Sequence, residues 1–319
     1  MYTVKESFMT GINEKKMIDF KRITPSDKTL YESFMSDGEE RGCEFSFANL
    51  YLWGRQYMAV LGDNVLLFSQ FDRRSVYPYP VGEGDKKAAI DAIIEDAEAR
   101  GIPCRITGLF DNAREKLSQL YPGRFRFHSD EESYDYVYSI DDLADLKGKK
   151  YHSKRNHLAR FYESTPNLEV VPLCEGNLHL AKEMTDLWYE EKLSENPDGD
   201  FQMERAALDR AYRHFEELSL VGIMLLSDRR VLAMTIASRI TRDTFDVHFE
   251  KARAGVNGAY AAVNSEMAKY IRSRFPEVKY LNREDDMGIE GLRRAKKSYH
   301  PHHQVRKSWA CLLEDGCDY

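Results

Sequence analysis

The pattern of apolar and polar positions predicts helices that alternate with short strands along the chain. Apolar residues at every second position predict a strand hairpin over residues 57–71 and a three-stranded meander over residues 220–251. Apolar residues at spacings of three and four predict helices at 85–100 and 259–274. Such a mixture indicates an α/β (α+β) protein with mixed sheets flanked by helices.

The order of the predicted elements repeats. In both halves a hairpin or meander and a glycine-containing turn precede the order helix, strand, helix, strand. A length of 319 residues also suits two domains of about 150 residues each. We therefore expect a leader at residues 1–17, where the pattern is compatible with disorder. An N-terminal domain follows at 18–145, and a C-terminal domain at 146–319 begins with a basic linking helix.

Positive charge is concentrated in two segments of an otherwise acidic chain. The formal net charge is −7, yet residues 146–162 and 291–313 contain no acidic residue and several lysines and arginines. Segments that met in space would form a positive cleft for a polyanion such as a nucleotide, an RNA end or a phospholipid head group. The alternative is that they form two separate solvated surfaces.

The helix predicted at residues 289–298 carries a lysine on its apolar face. Ile289, Leu292 and Tyr299 share one side at helical spacing, and Lys296 falls among them, with Arg293 on the flank. A lysine there either extends its ammonium group to water, finds a partner, or lies in a cleft with a lowered pKa. We take Lys296 as a candidate catalytic residue.

A second helix, predicted at residues 149–163, has the same feature. Lys154 and Arg155 lie inside an apolar stripe that includes Leu158 and Phe161. Two basic residues on a buried face favour a binding site over an ordinary solvated helix. We expect both to contact the phosphates of a ligand.

Two loops add candidate residues. Gly255, Asn257 and Gly258 lie between a strand and a helix, where free backbone N–H groups can bind phosphate, although the same glycines also suit a plain tight turn. In the acidic turn after the last predicted strand of the C-terminal half, Glu284 is a candidate to accept a proton. Asp286 is better suited to cap the following helix.

Other classes of site and location are disfavoured. His300, His302 and His303 could bind a metal, but no carboxylate or cysteine lies at ligand spacing, so we expect no metal site. No apolar run reaches the length of about 20 residues that a membrane-spanning helix needs, and no signal peptide is evident. We therefore expect a cytoplasmic protein without a membrane span.

Two motifs give the sequence a family resemblance. The segment Lys-Arg-Asn-His-Leu-Ala-Arg-Phe at 154–161 and the segment at 282–301 resemble those of the C-terminal domain of phosphatidylglycerol lysyltransferases and its stand-alone relatives. They are similar, more distantly, to Fem-type peptidoglycan aminoacyltransferases. The resemblance implies tandem acyltransferase domains of the GNAT superfamily. It also implies transfer of an aminoacyl group from charged tRNA to a lipid or cell-wall precursor.

The resemblance can be carried over to single residues. Lys296 matches the lysine of the Fem-type Phe-Lys-x-x-Phe pattern, with Ala295 in the first aromatic place and Tyr299 in the last. Asn156 and Asn282 lie within the two motifs and are taken as substrate-binding. The glycine-containing loop at 253–258 departs from the GNAT phosphate loop, which disfavours coenzyme A.

The leading hypothesis is an acyl or aminoacyl transferase. Lys296 would stabilise the oxyanion, Tyr299 would assist the leaving group, and Lys154, Arg155 and Arg293 would hold donor phosphates. The donor would be aminoacyl-tRNA or an acyl-CoA thioester, without a further cofactor. The acceptor would be a small molecule, a peptide or a lipid head group. The alternative is a non-catalytic binder of RNA or of a phosphorylated ligand.

Overall fold

The computed structural model describes residues 17–35, 42–54, 56–71, 74–197 and 199–315. The predicted leader, apart from Met17, lies outside these residues. The strands are β1 Lys21–Arg22, β2 Gln56–Leu61, β3 Asn64–Phe71, β4 Arg74–Pro78, β5 Val81–Gly82, β6 Arg105–Leu109, β7 Phe125–His128, β8 Asp135–Ser139, β9 Leu168–Pro172, β10 Val221–Ser227, β11 Arg230–Thr241, β12 Thr244–Ala252, β13 Tyr280–Asn282, β14 His303–Val305 and β15 Ser308–Leu312. The α-helices are α1 Lys28–Ser33, α2 Phe47–Leu52, α3 Lys86–Arg100, α4 Asp111–Leu120, α5 Ile140–Asp145, α6 His152–Ser164, α7 Leu178–Glu195, α8 Gln202–Arg213, α9 Ala259–Arg274 and α10 Glu290–Lys297.

The strands form two mixed sheets flanked by helices. The first sheet has the order β1-β2-β3-β4-β6-β15-β7, with β5 paired to β3, and the second has the order β14-β8-β13-β12-β11-β10-β9. One pair in each sheet, β4 with β6 and β12 with β13, is parallel, and the other pairs are antiparallel. The predicted α/β class with mixed sheets is therefore confirmed.

Each sheet includes a strand from the other half of the chain. Strand β8 pairs with β13 and β14 in the second sheet, whereas β15 lies between β6 and β7 in the first. The predicted single strand at 303–312 is thus two strands in different sheets. The domain boundary at residue 145 stays a prediction, and each sheet contains strands from both sides of it.

Helix α6 forms where its apolar stripe predicts. Leu158 and Phe161 are buried against the core, each contributing about 1.5–3 kcal/mol of transfer free energy. The helix approaches the start of α9 closely, because a Cβ atom on Gly258 would lie 3.0 Å from the Phe161 Cβ atom and from the His157 carbonyl oxygen. Gly258 also has a φ of 86°, which favours glycine.

The two segments that lack acidic residues meet. Tyr151, just before α6, donates its hydroxyl proton to the carbonyl oxygen of Tyr299 at 2.9 Å. The ring of His300 packs edge-on against the Tyr151 ring. The beginning of α6 therefore lies against the end of α10, which brings basic residues of the two segments near each other.

None of the helices in the described residues has the length and apolar character needed to cross a bilayer.

Candidate functional site

Lys296 holds the turn that follows strand β13. Its side chain is only 8% exposed, and its ammonium group donates to the carbonyl oxygens of Arg283, Glu284 and Asp285. An ammonium group has three protons, and three acceptors surround it. Burial, and then the charge of Arg283, lowers the pKa of Lys296.

The turn that Lys296 holds has an unusual backbone. Glu284 has a φ of 56°, in the left-handed region that residues other than glycine rarely adopt. Asn282 stabilises it, because its side-chain oxygen accepts a hydrogen bond from the Glu284 backbone N–H at 2.7 Å. The Asn282 amide donates to Asp135 at 2.9 Å. Asn282 is thus fully buried within the protein's own hydrogen bonds.

The side chain of Arg283 reaches strand β12 just beyond the end of β13. The two strands pair from Thr244 to Asp246 on β12, and β13 ends at Asn282. Beyond that point the Arg283 guanidinium lies 2.9 Å from the carboxylate of Glu250, and both side chains are largely buried. This pair of charges therefore occupies the space beside β12 that follows the end of β13.

Lys154 and Tyr299 face each other beside Arg283. The Lys154 ammonium lies 3.9 Å from the centre of the Tyr299 ring, and the Arg283 guanidinium lies 5.2 Å from it. Burial, and then the charge of Arg283, lowers the pKa of Lys154, whereas burial raises the pKa of Tyr299 to about 12. Lys154 therefore lies near the side chain of Arg283, whereas Lys296 contacts its backbone carbonyl group.

The ammonium groups of Lys154 and Lys296 differ in the groups that surround them. Among the described residues, no carboxylate lies within ion-pair distance of Lys154, so its charge is available to a ligand. Lys296 is engaged by backbone carbonyl groups.

Three of the other predicted residues lie elsewhere. Arg155 donates to the carbonyl oxygens of Leu146 and Gly148, the latter at 2.7 Å, and so stabilises the segment that precedes α6. Asn156 is exposed on α6. Arg293 forms two hydrogen bonds of 2.9 Å with the carboxylate of Asp286, which lowers the pKa of Asp286 to about 2.

The glycine-containing loop and α6 form a basic pocket of about 1080 Å³. Helix α9 begins there without a side-chain cap. Among the described residues, the backbone N–H groups of Tyr260 and Ala261 have no acceptor. We call it the α6 pocket; its lining includes His157, Arg160, Ser164, Asp228, Arg230, Gly255, Asn257 and Gly258.

Comparisons with known proteins place the chain in a family. Residues 36–311 match the family model described as phosphatidylglycerol lysyltransferase, C-terminal. The chain belongs to this family. A comparison with the curated proteins gives no match.

Solved structures related to this family member support the assignment. A conserved protein of unknown function from Bacteroides thetaiotaomicron VPI-5482 is 36% identical, with a TM-score of 0.88 over 93% of this chain and 100% of that one. L-PGS from Bacillus licheniformis is 14% identical, with a TM-score of 0.66 over 92% and 93% of the two chains. FemX is 12% identical, with a TM-score of 0.60 over 94% and 98%. The last two show the shared fold.

Sequence reasoning missed a row of polar residues in this family member. Asp246, His248 and Glu250 alternate along β12, so they share one face of a strand in the interior of the sheet. Their side chains are at most 13% exposed. Burial raises the pKa of Asp246 well above its usual range. The sequence feature that could have revealed this row is three polar residues at alternate positions within a buried strand.

Glu284 points toward this row. Its carboxylate lies 3.4 Å from the Nδ1 atom of His248. Asn49 on α2 donates its side-chain N–H to the same carboxylate at 3.3 Å. The turn held by Lys296 thus directs Arg283 to the side of Lys154 and Glu284 to the side of His248.

Proposed function

We propose that the chain transfers an aminoacyl group from charged tRNA to an amine or hydroxyl acceptor. The observation that carries this proposal is the contact between Lys154 and Tyr299 beside the buried Arg283. It supplies a partly desolvated cation, for which the described residues provide no carboxylate partner, and a phenol that keeps its proton at neutral pH. Membership of a lysyltransferase family supports the same reaction class.

The α6 pocket suits the phosphates of the donor. Lys154, His157, Arg160 and Ser164 follow one side of α6 at spacings of three and four, and the last three line the pocket. Free N–H groups at a helix N-terminus favour phosphate, and Arg160 and Arg230 add positive charge. A tRNA end bound there would bring its terminal ester along α6 toward Lys154.

The side chains near Tyr299 suit attack on an ester. The acceptor's nitrogen or oxygen attacks the ester carbonyl carbon, and negative charge develops on the carbonyl oxygen. The Lys154 ammonium would stabilise that oxygen, a contact whose loss costs about 10²- to 10³-fold in rate. Tyr299 would donate its proton to the ribose oxygen that leaves, and its phenolate would then recover a proton from the attacking nitrogen or oxygen. Lys296 would act as a positioning residue, since its three protons already bind carbonyl oxygens.

The Arg283–Glu250 pair favours tRNA over coenzyme A as the donor. In open α/β sheets, ligands usually bind beyond the carboxyl ends of the strands. Here the ion pair occupies the space beside β12 that follows the end of β13, so a thioester arm that entered there would have to displace two buried charges. A tRNA end that approaches over α6 leaves the pair intact.

A donor-consumption assay tests the proposal. The protein is incubated in parallel with aminoacyl-tRNA and with acetyl-CoA, each with phosphatidylglycerol vesicles, a peptidoglycan-type peptide or a small amine as acceptor. We expect acceptor-dependent loss of the aminoacyl ester and no release of free thiol. Thiol release alone would contradict tRNA as the donor. Salt-sensitive tRNA binding without ester loss with any acceptor would instead indicate the non-catalytic binder.

A further inference from the structure

Three ligand-type side chains, distinct from Lys154 and Tyr299, lie close together at β12 and the turn after β13. Asp246 and His248 project from the same face of β12, and Glu284 reaches them from the turn after β13. The Nδ1 atom of His248 lies 3.5 Å from the Asp246 carboxylate and 3.4 Å from that of Glu284.

The centre of this group is buried and incompletely bonded. Asp246 is fully buried, and the His248 side chain is 2% exposed. Among the described residues, the Nδ1 atom of His248 and one carboxylate oxygen of Asp246 have no hydrogen-bond partner. A buried polar atom without a partner costs about 1–3 kcal/mol, so native proteins rarely leave two together.

Two carboxyl groups face one imidazole in this group. Within the described chain, no lysine or arginine lies within ion-pair distance of the Asp246 or Glu284 carboxylate. Their other contacts are neutral: Ser46 donates its hydroxyl proton to Asp246 at 3.3 Å, and Asn49 donates to Glu284 at 3.3 Å. Two buried carboxylates next to one imidazole leave room for a cation.

A neighbouring cluster shows the contrast. Cys43, Glu44 and Asp135 also bring three ligand-type atoms together. There the ammonium group of Lys307 occupies the centre, 2.6 Å from Asp135, 3.0 Å from Glu44 and 3.7 Å from the Cys43 sulfur. The protein's own cation balances that cluster, whereas the part of the chain that the structure describes places no lysine or arginine in the group around His248.

Ser238 orients the imidazole for coordination. Its hydroxyl oxygen lies 2.8 Å from the Nε2 atom of His248. A neutral imidazole that donates its Nε2–H to Ser238 directs the Nδ1 lone pair at the two carboxylates. Metal-binding histidines commonly have such a partner on the second nitrogen.

We propose that Asp246, His248 and Glu284 bind one divalent transition-metal ion of the zinc type. Zinc bonds to nitrogen and oxygen of about 2.0–2.2 Å place tetrahedral ligand atoms about 3.3–3.6 Å apart, close to the spacing around His248. The Glu284 side chain is 23% exposed, so the fourth position opens on its side. Three protein ligands with one open position are typical of catalytic zinc sites, where the fourth ligand is water or substrate.

Metal counting on the full chain tests this site. His302 and His303 form a surface imidazole pair, with Nδ1 atoms 2.8 Å apart, that could also bind zinc. The experiment therefore uses a His302→Gln/His303→Gln background. The protein is stripped with chelator, loaded with Zn²⁺ and freed of excess metal. We expect about one zinc per chain by mass spectrometry, and the visible spectrum of four-coordinate cobalt after loading with Co²⁺.

Matched variants locate the metal. His248→Gln in the same background should lose the zinc and the cobalt spectrum, and Glu284→Gln should weaken zinc binding at least about tenfold. Ser238→Ala should weaken it about 10- to 100-fold, as loss of an orienting partner does. The control Cys43→Ser, in the cluster filled by Lys307, should keep one zinc.

Two results would overturn the proposal. One is a His302→Gln/His303→Gln protein that retains less than about a tenth of an equivalent of zinc per chain after loading. The other is unchanged zinc affinity in Glu284→Gln, with circular dichroism used to check that this variant is folded. Neither readout uses transfer activity, so the result is independent of the proposed function.

Discussion

The Lys296 ammonium donates to the carbonyl oxygen of Glu284 at 3.1 Å, so a lysine on an apolar helix face fixes the backbone of an acidic turn. Glu284 has a left-handed backbone there, and its carboxylate points to His248. Strained residues of this kind cluster at functional sites, where the surrounding contacts hold them in place. Lys296 is therefore joined to the candidate site through the backbone that it orders.

Lys296→Met should destabilise the protein. The substitution leaves three carbonyl oxygens without their buried donor, so we expect a loss of at least about 2 kcal/mol in the free energy of unfolding. Chemical denaturation measures the loss. Lys297→Met is the matched control, because Lys297 is exposed on the same helix and should change stability by less than about 0.5 kcal/mol.

The outcome separates two roles for Lys296. A positioning residue predicts that stability and transfer fall together. Native stability combined with a loss of transfer of 10²-fold or more would instead favour direct contact of Lys296 with the reacting carbonyl group.

Lys154→Gln should reduce aminoacyl transfer by about 10²- to 10³-fold, because it removes the cation that faces Tyr299. Single-turnover loss of the aminoacyl ester measures the effect. The control Lys149→Gln removes an exposed lysine just before the same helix and should leave the rate within about twofold. Equal rates for the two variants would contradict the role of Lys154.

The elements around the site could be predicted from the sequence because helical and strand periodicity are local properties. The helix predicted at 259–274 is α9, Ala259–Arg274, and the predicted meander is β10 to β12. The charge pattern of the two segments without acidic residues left open whether they meet or form separate surfaces, and the structure brings them together. Lys154 and Tyr299 meet there.

The partners of the polar side chains could not be predicted in the same way. The acceptors of Lys296 are backbone oxygens in a turn whose shape depends on Asn282 and Glu284. Helical periodicity predicts that Lys296 faces inward but does not predict which groups it contacts. The separation of β14 from β15 was missed because both read as one strand. The polar residues Asp246 and His248 at alternate positions of β12 could be recognised in the sequence. Their grouping with Glu284 could not, because it depends on the turn that brings Glu284 to them.

Arg160→Ser should weaken tRNA binding and reduce its salt dependence. Arg160 lines the α6 pocket, so its loss removes about one phosphate contact and lowers the slope of log affinity against log salt by about one unit. Filter binding at several salt concentrations measures the slope. Arg294→Ser serves as the control, since Arg294 is exposed and paired with Glu290. Identical slopes for both variants would exclude the α6 pocket as the tRNA contact.

The stability of the protein should fall in acid through Asp286. Its hydrogen bonds with Arg293 lower its pKa to about 2 in the folded state, against about 3.9 in an unfolded chain. A depressed carboxyl pKa stabilises the fold above about pH 4, and the contribution is lost as the pH falls toward 2. Asp286→Asn should therefore show a flatter decline of unfolding free energy between pH 4 and pH 2, measured by urea titration. A decline as steep as in the native chain would refute this assignment.

Lys307→Met should be among the most destabilising single changes in this part of the protein. Lys307 is the cation at the centre of the cluster of Cys43, Glu44 and Asp135, and Asp135 is fully buried. Removing one member of a buried ion pair leaves an uncompensated charge and costs about 3–5 kcal/mol. Urea denaturation measures the loss, and Arg306→Met, at the exposed neighbouring position, is the control. If zinc or another cation added to the Lys307→Met protein restores its stability, the cluster behaves as a cation site that the lysine fills; without such rescue, Lys307 is needed as a hydrogen-bond donor as well as a charge.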